Sequence, residues 1–341
     1  MRKTKTVWLA GLMAIVLVVI TACGGSKDNG QSNSGASATV APSETASESP
    51  SAEAAETTEN AGERVIEYLG ESYTVPANVE RIVITGAVEA MEDSVVLDVH
   101  PVGAISFGGE FPERFVKIVD QAESIGEKRE PNFEAILKLK PDVILGTTKF
   151  GEEIVEQLKK IAPFIAVSHI AANWEANLQL LGELSGKSEQ AAAAIAQYRK
   201  DADEAELEFA THLADQKVLA IRIREGELNI YPKAVFVNPI LYTDLGLNVP
   251  AEVEAATAQE VISNEQLAVI NPDYLFIQFS NEENADTLTA LDEFLANPIV
   301  KKVSAVKNDR VFVNVIDPLS EGGPALSRIE FLKVAQDLLS K

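Results

Sequence analysis

Two stretches of this chain repeat one local design. Asn132-Phe133-Glu134-Ala135-Ile136-Leu137-Lys138-Leu139-Lys140-Pro141-Asp142-Val143-Ile144-Leu145 aligns without gaps on Ser263-Asn264-Glu265-Gln266-Leu267-Ala268-Val269-Ile270-Asn271-Pro272-Asp273-Tyr274-Leu275-Phe276. Each copy reads as a cap residue, an acidic first turn, a short helix, a Pro-Asp turn and a buried strand. A chain that carries this unit twice is constrained to two related lobes, and 341 residues give room for two cores. An equivalent glutamate, Glu134 or Glu265, opens the helix of each copy.

The surrounding pattern agrees with an α/β fold. Folded protein begins near Arg64, with Val65 to Tyr68 and Ser72 to Val75 flanking Gly70 as a hairpin. Apolar runs then alternate with amphipathic stretches. Strands are expected at Arg81 to Thr85, Val102 to Ile105, Val143 to Leu145 and Phe164 to Val167, with helices at Val88 to Leu97, Phe133 to Leu139 and Glu152 to Ile161. Further on, Val218 to Ile223, Tyr274 to Phe279 and Val311 to Val315 are strands, and a helix runs from Pro324 to Leu339.

Between the halves, residues 173–213 contain neither proline nor strand signal, and Ser185-Gly186-Lys187 breaks them. Ala191, Ala194, Ile195, Tyr198, Ala202 and Ala205 then recur at helical spacing. A helix from Ser188 to Leu213 would be about 39 Å long, a bridge that permits only slight hinging. The expected organisation is residues 64–172 as the N-terminal lobe, 173–213 as a helical bridge and 214–341 as the C-terminal lobe.

The first 63 residues differ in kind. Arg2, Lys3 and Lys5 precede an apolar run from Val7 to Ile20, which ends in Thr21-Ala22-Cys23-Gly24. About 14 apolar residues between a basic start and small residues make a secretory signal rather than a membrane span. Small residues directly before the only cysteine resemble the lipobox of bacterial lipoproteins, so residues 1–22 are expected to be removed and Cys23 lipidated. Residues 23–63 are rich in Gly, Ser, Ala, Thr and Glu and cannot bury enough apolar surface to order themselves. As a flexible tether of about 40 residues they span roughly 35 Å.

Composition excludes several partners. With 29 Lys+Arg against 52 Asp+Glu, a net charge of -23, the chain is ill suited to nucleic acid. One cysteine excludes a disulfide framework. His100, His169 and His212 are scattered, which argues against a zinc or manganese centre. Ser304-Ala305-Val306-Lys307 spells Ser-x-x-Lys, but its Ser-Asp-Asn and Lys-Thr-Gly partners are missing. There is no Gly-x-Ser-x-Gly elbow and no phosphate loop, so a surface lipoprotein enzyme is the remote alternative.

Together the lipobox, the tether, the GEKREPNFEAILKLKPDVIL stretch from Gly126, the long central helix and LYTDLGLNVP from Leu241 resemble the substrate-binding lipoproteins of ABC importers for ferric siderophores and cobalamin, in their Gram-positive form. The resemblance runs from about Val65 to the C-terminus. It implies two α/β lobes bridged by one long helix, the class III periplasmic-binding-protein architecture, in a monomer lipid-anchored to the outer face of the cell membrane. It further implies no enzymatic activity and no intrinsic cofactor, because the iron is held by the siderophore's own oxygens. Permease subunits are the implied partners, docked through Glu134 and Glu265.

For an anionic chelate, cations at the carboxyl ends of strands are the chemistry required. Lys128, Lys149, Arg222 and Arg224 fit, and the two arginines, two apart on a strand, face the same side. Members of the family that bind catecholates carry a basic set in corresponding places, which favours a ferric catecholate. At an effective dielectric near 20 and 5–6 Å, each cation contributes on the order of 3 kcal/mol per unit ligand charge before desolvation. Arg129 could stand in for Lys128. Gln259, Tyr231, Phe236, Tyr242, Phe150 and Trp174 are further candidates, offering hydrogen bonds or flat surface. Ferric citrate, ferric hydroxamate, haem and cobalamin are the alternative ligands.

Overall fold

The structure is a computed structural model and describes residues 62–340. The expected signal segment, Cys23 and the polar tether up to residue 61 lie outside the described residues. No helix among the described residues is long and apolar enough to cross a membrane.

A hairpin of β1 (Glu63–Tyr68) and β2 (Glu71–Pro76) comes first, turning at Leu69 and Gly70, both at positive φ. Eight elements then build the first sheet and its cover: β3 (Ile82–Ile84), α1 (Val88–Leu97), β4 (Gly103–Ser106), β5 (Glu123–Glu127), β6 (Glu130–Pro131), α2 (Phe133–Leu139), β7 (Val143–Thr147) and α3 (Glu152–Lys159). With β8 (Phe164–Val167) the strand order is β6-β5-β4-β3-β7-β8, parallel except for β6. Every residue of β3, β4 and β7 is buried, as a parallel sheet covered on both faces requires.

Two helices follow, α4 (Trp174–Leu184) and α5 (Ser188–His212). The 25 residues of α5 extend about 38 Å, and Ala191, Ile195, Tyr198, Ala202, Ala205 and Phe209 form its buried stripe. The second sheet contains β9 (Val218–Arg224), β10 (Glu227–Ile230), β11 (Glu260–Ile262), β12 (Tyr274–Phe279) and β13 (Val311–Val313), in the order β11-β10-β9-β12-β13. Between and after these strands lie α6 (Ala251–Ala255), α7 (Asn264–Ile270), α8 (Ala290–Ala296), α9 (Ser304–Lys307) and α10 (Ala325–Leu339). Two α/β lobes joined through one long helix is the fold class the sequence implied.

The repeat seen in the sequence is also a repeat of hydrogen bonds. Asn132 accepts from the Ala135 amide and Ser263 from the Gln266 amide, both at 3.1 Å. Both helices end on a left-handed residue, Lys140 or Asn271. The aspartate after each proline then accepts an amide that leads into the neighbouring strand: Asp142 from Arg81 at 2.8 Å, Asp273 from Lys217 at 2.9 Å. Cap, helix and Pro-Asp turn thus place β7 beside β3, and β12 beside β9, by the same device.

The halves are fastened by buried polar groups. Arg328 of α10 is 2% exposed. Its Nε donates to the Gly323 carbonyl at 2.9 Å, Nη2 to the Ala171 carbonyl at 3.1 Å and Nη1 to Asp244. The guanidinium lies 5.1 Å from the Trp174 ring and 5.8 Å from that of Tyr198, whose hydroxyl donates to Asp244 at 2.6 Å. One side chain therefore joins the segment after β8, α4, α5, the turn at Asp244 and α10.

A second fastening caps α10. Its N-cap is Pro324, which has no side-chain acceptor, so carboxylates from α1 take over that task. Glu92, fully buried, accepts the Ser327 amide at 3.0 Å and hydroxyl, and the Glu321 amide at 3.1 Å. Asp93 accepts the Ala325 amide at 3.2 Å, while its other oxygen is buried without a partner.

Burial, reinforced by the nearby Glu92 and Glu89 carboxylates, raises the Asp93 carboxyl well above its ordinary 3.8. The folded protein therefore holds a proton at Asp93 that the unfolded chain releases, and stability falls as pH rises from 3.8 toward the raised value. Asp93→Asn, which keeps the acceptor for Ala325, is expected to flatten the decline in melting temperature as pH rises above 3.8. Thermal denaturation across that range checks it. An unchanged slope would assign the dependence to other groups.

Candidate functional site

The carboxyl ends of β7 and β9 open into one cleft. Along β9, Ile221 and Ile223 are completely buried, while the alternating Arg222 and Arg224 turn to the opposite face. One compartment, about 290 Å³, is lined by Lys149, Trp174, Arg222, Arg224, Tyr231, Phe236 and Gln259, among others. An adjoining compartment of about 480 Å³ shares Lys149, Arg222 and Arg224 and adds Lys128, Arg129 and Phe150. Cations from both sheets therefore face a common space, and both Lys128 and Arg129 reach it.

Arg222, Arg224, Lys128 and Lys149 are already matched with carboxylates in this space, whereas Arg129 has no ion-pair partner among the described residues. Arg222 Nε and Nη2 donate to the two oxygens of Glu283 at 2.7 and 2.9 Å, and Arg224 Nη2 lies 3.2 Å from the same carboxylate. Arg224 Nη1 donates to Gln259 at 2.8 Å, which also accepts from the Tyr231 hydroxyl at 3.1 Å and donates to Asn229 at 2.8 Å. Phe236 packs 5.3 Å from the Tyr231 ring and 6.0 Å beneath the Arg222 guanidinium. On the opposite wall Lys149 lies 3.9 Å from Glu89, and Lys128 is ion-paired with Glu321.

These carboxylates feel opposing influences. Glu89 is 5% exposed, and burial together with the Glu321 charge pushes its carboxyl up. Burial acts in the same sense on Glu321, but Lys128 and Lys149 outweigh it and hold that carboxyl below its ordinary value. His169, hydrogen-bonded to Thr148 at 2.7 Å, also lines the cleft. Burial and the neighbouring Lys149 lower its pKa, which favours a neutral imidazole. Among the described residues no group of three His, Cys, Asp or Glu is arranged to hold a metal ion.

One candidate is corrected. Tyr242 is 5% exposed and its hydroxyl donates to the Val218 carbonyl at 2.9 Å, at the amino end of β9. It belongs to the core of the second lobe, away from the carboxyl end where the cleft opens. Trp174 and Phe150 do face the cleft, whereas Glu134 and Glu265 are exposed at the first turns of α2 and α7 and line neither compartment. Nothing in the sequence analysis placed Glu89, Glu283, Glu321 or His169 in the cleft. Of these, Glu283 and Glu321 follow the carboxyl ends of β12 and β13, where open α/β sheets present ligand-facing groups, and that position was the available signal.

Residues 111–314 match the family model described as periplasmic binding protein. The iron-uptake system-binding protein of Bacillus subtilis strain 168 is 50% identical over 276 residues, covering 81% of this chain and 87% of that one. The iron(3+)-hydroxamate-binding protein YxeB of the same organism is 26% identical, over 99% of this chain and 97% of its own. Among solved structures, the triscatecholate siderophore binding protein FeuA of Bacillus subtilis, complexed with ferri-bacillibactin, superposes with a TM-score of 0.77 at 50% identity, covering 81% of this chain and 98% of that chain. With the family model spanning more than half of its length, and half of the aligned residues shared with a relative over most of both chains, this protein belongs to the periplasmic binding protein family.

Proposed function

We propose that this protein is the substrate-binding component of an ABC importer, taking up a ferric siderophore, with a tris-catecholate complex as its preferred form. The observation that carries the reading is the convergence of Lys128, Lys149, Arg222 and Arg224, from two sheets, on one cleft in a chain 50% identical to a protein crystallised with ferri-bacillibactin. A ferric tris-catecholate exposes anionic oxygens around its metal, and guanidinium and ammonium donors complement them. Tyr231, Phe236 and Trp174 add aromatic surface for the catechol rings. Iron is cargo here, enclosed by the chelate, so the protein supplies no metal ligand and performs no chemistry on it.

Delivery follows from the two exposed glutamates, one per lobe, which dock on cationic side chains of the permease. Lipidation at Cys23 and the tether hold a monomeric body at the outer face of the cell membrane.

Trp174 makes the test direct, since it is one of two tryptophans in the chain and lies in the cleft wall. Ferric tris-catecholate should change its fluorescence saturably, and Arg224→Ala should weaken binding at least tenfold, about 1.4 kcal/mol. Ferric hydroxamate, ferric citrate, haem and cobalamin are the comparison ligands. Saturable binding of haem or cobalamin with no response to any ferric chelate would overturn the reading.

A further inference from the structure

The cleft holds its own anion. Glu321 lies on the segment between β13 and α10, yet its carboxylate reaches across to Lys128 of the first lobe and lines both compartments. Its backbone is fixed there. The Glu321 amide is bonded to Glu92, and the two glycines that follow pass through close quarters. A Cβ on Gly322, which has φ +77°, would fall 2.9 Å from the Phe236 backbone, and one on Gly323 would fall 2.8 Å from the Ala171 Cβ.

The groups facing Glu321 come from both sheets. Lys128 and Arg129 project from the turn between β5 and β6, and Lys149 from the segment after β7. Arg222 and Arg224 end β9, Glu283 follows β12, and Glu89 and His169 complete the wall. Of the cations, Lys128 is the one paired with Glu321, Lys149 stands near Glu89, and Arg222 and Arg224 share Glu283.

A carboxylate tethered beside its cation acts at a high effective concentration, which a free monovalent or divalent anion must exceed to take its place. A small oxyanion that reaches one or two cations cannot do so. A ligand presenting several anionic oxygens to Lys128, Lys149 and the arginines at once gains enough contacts to displace it.

We propose that Glu321 is the internal counter-ion of this cleft: it occupies Lys128 in the ligand-free protein, holds off small oxyanions, and is displaced when the ferric chelate binds. The proposal deepens the siderophore reading and rests on it for the identity of the displacing ligand. The claim about small oxyanions is independent of that reading.

The test uses the full chain and Glu321→Gln, which keeps the shape of the side chain and leaves the amide bond to Glu92 in place. Titrated with ferric tris-catecholate in phosphate-free buffer, the variant should bind at least tenfold more tightly than the parent. Inorganic phosphate at millimolar concentration, with ionic strength held constant by chloride, should cancel this gain in the variant and leave the parent unaffected. Unchanged or weaker binding by the variant, or equal sensitivity of the two proteins to phosphate, would overturn the proposal.

A failure of the functional reading looks different: neither protein would respond to ferric chelates. Direct phosphate titration of Trp174 fluorescence then still decides, with saturation in Glu321→Gln alone supporting the proposal and matching curves overturning it. If the variant does not fold, a crystal structure of the parent with ferric tris-catecholate serves instead. Lys128 should be found on the ligand and Glu321 turned away, and an intact Lys128–Glu321 pair would refute displacement.

Discussion

Replacing Glu134 and Glu265 together by alanine should abolish uptake of the ferric chelate by cells, while the purified variant binds that chelate as tightly as the parent. Both carboxylates are exposed, both stand in the first turn of a seven-residue helix, and neither has an ion-pair partner among the described residues. Placement near a helix N-terminus explains a carboxylate energetically, but only by about 0.3–1 kcal/mol each, so the fold should survive their loss. Capping is done by Asn132 and Ser263, which the substitutions leave untouched. Removing one side of a desolvated charge pair at an interface costs about 2–5 kcal/mol. Two such losses lower docking by about a thousandfold or more. Cellular uptake of radiolabelled iron, set beside fluorescence titration, separates the two quantities, and normal uptake by the double variant would remove these residues from docking.

The largest loss of stability is expected at Arg328. Arg328→Met roughly preserves side-chain bulk but strips donors from the Gly323 and Ala171 carbonyls and leaves Asp244 without its cation. Leaving one partner of a buried ion pair uncompensated costs about 3–5 kcal/mol, so the variant should lose a large part of its folding free energy. Denaturant unfolding followed at Trp174, whose ring lies against the guanidinium, is the measurement. The double variant Arg328→Met/Asp244→Asn should recover part of the loss, because the stranded charge is then gone as well. A loss below about 1 kcal/mol in the single variant would mean that water replaces the guanidinium at this junction.

Much of this architecture was legible because it is periodic. The strands at Val143, Val218 and Tyr274 open on continuous apolar runs, and α5 ends within a residue of its expected limit because the buried residues from Ala191 to Phe209 keep one stripe for about five turns. The strands β5, β10 and β11, with sequences ESIGE, ELNI and EVI, carry no continuous apolar run and were not foreseen. In the cleft, cations were found by their positions after strands, but their partners were not. Glu283 lies 61 residues from Arg222, and Glu321 lies 193 from Lys128, distances at which no local pattern survives. Tyr242 misled because an aromatic residue beside Asp244 and Gly246 reads equally as cleft or core. Only the bond to Val218 decides between them.

The alternation along β9 has a bearing on how such a protein tolerates change. The face that presents Arg222 and Arg224 is set by Ile221 and Ile223 filling the core behind it. A shift of one residue, from an insertion or a mispaired strand, would drive both guanidinium groups into the lobe interior and turn the isoleucines into the cleft. Such a chain would not fold into a transporter component with a faulty binding site; it would fail to fold. Drift in ligand preference is thereby steered toward point substitutions in the loops, where Lys128, Lys149 and Glu321 sit, while the arginine pair is inherited with the sheet.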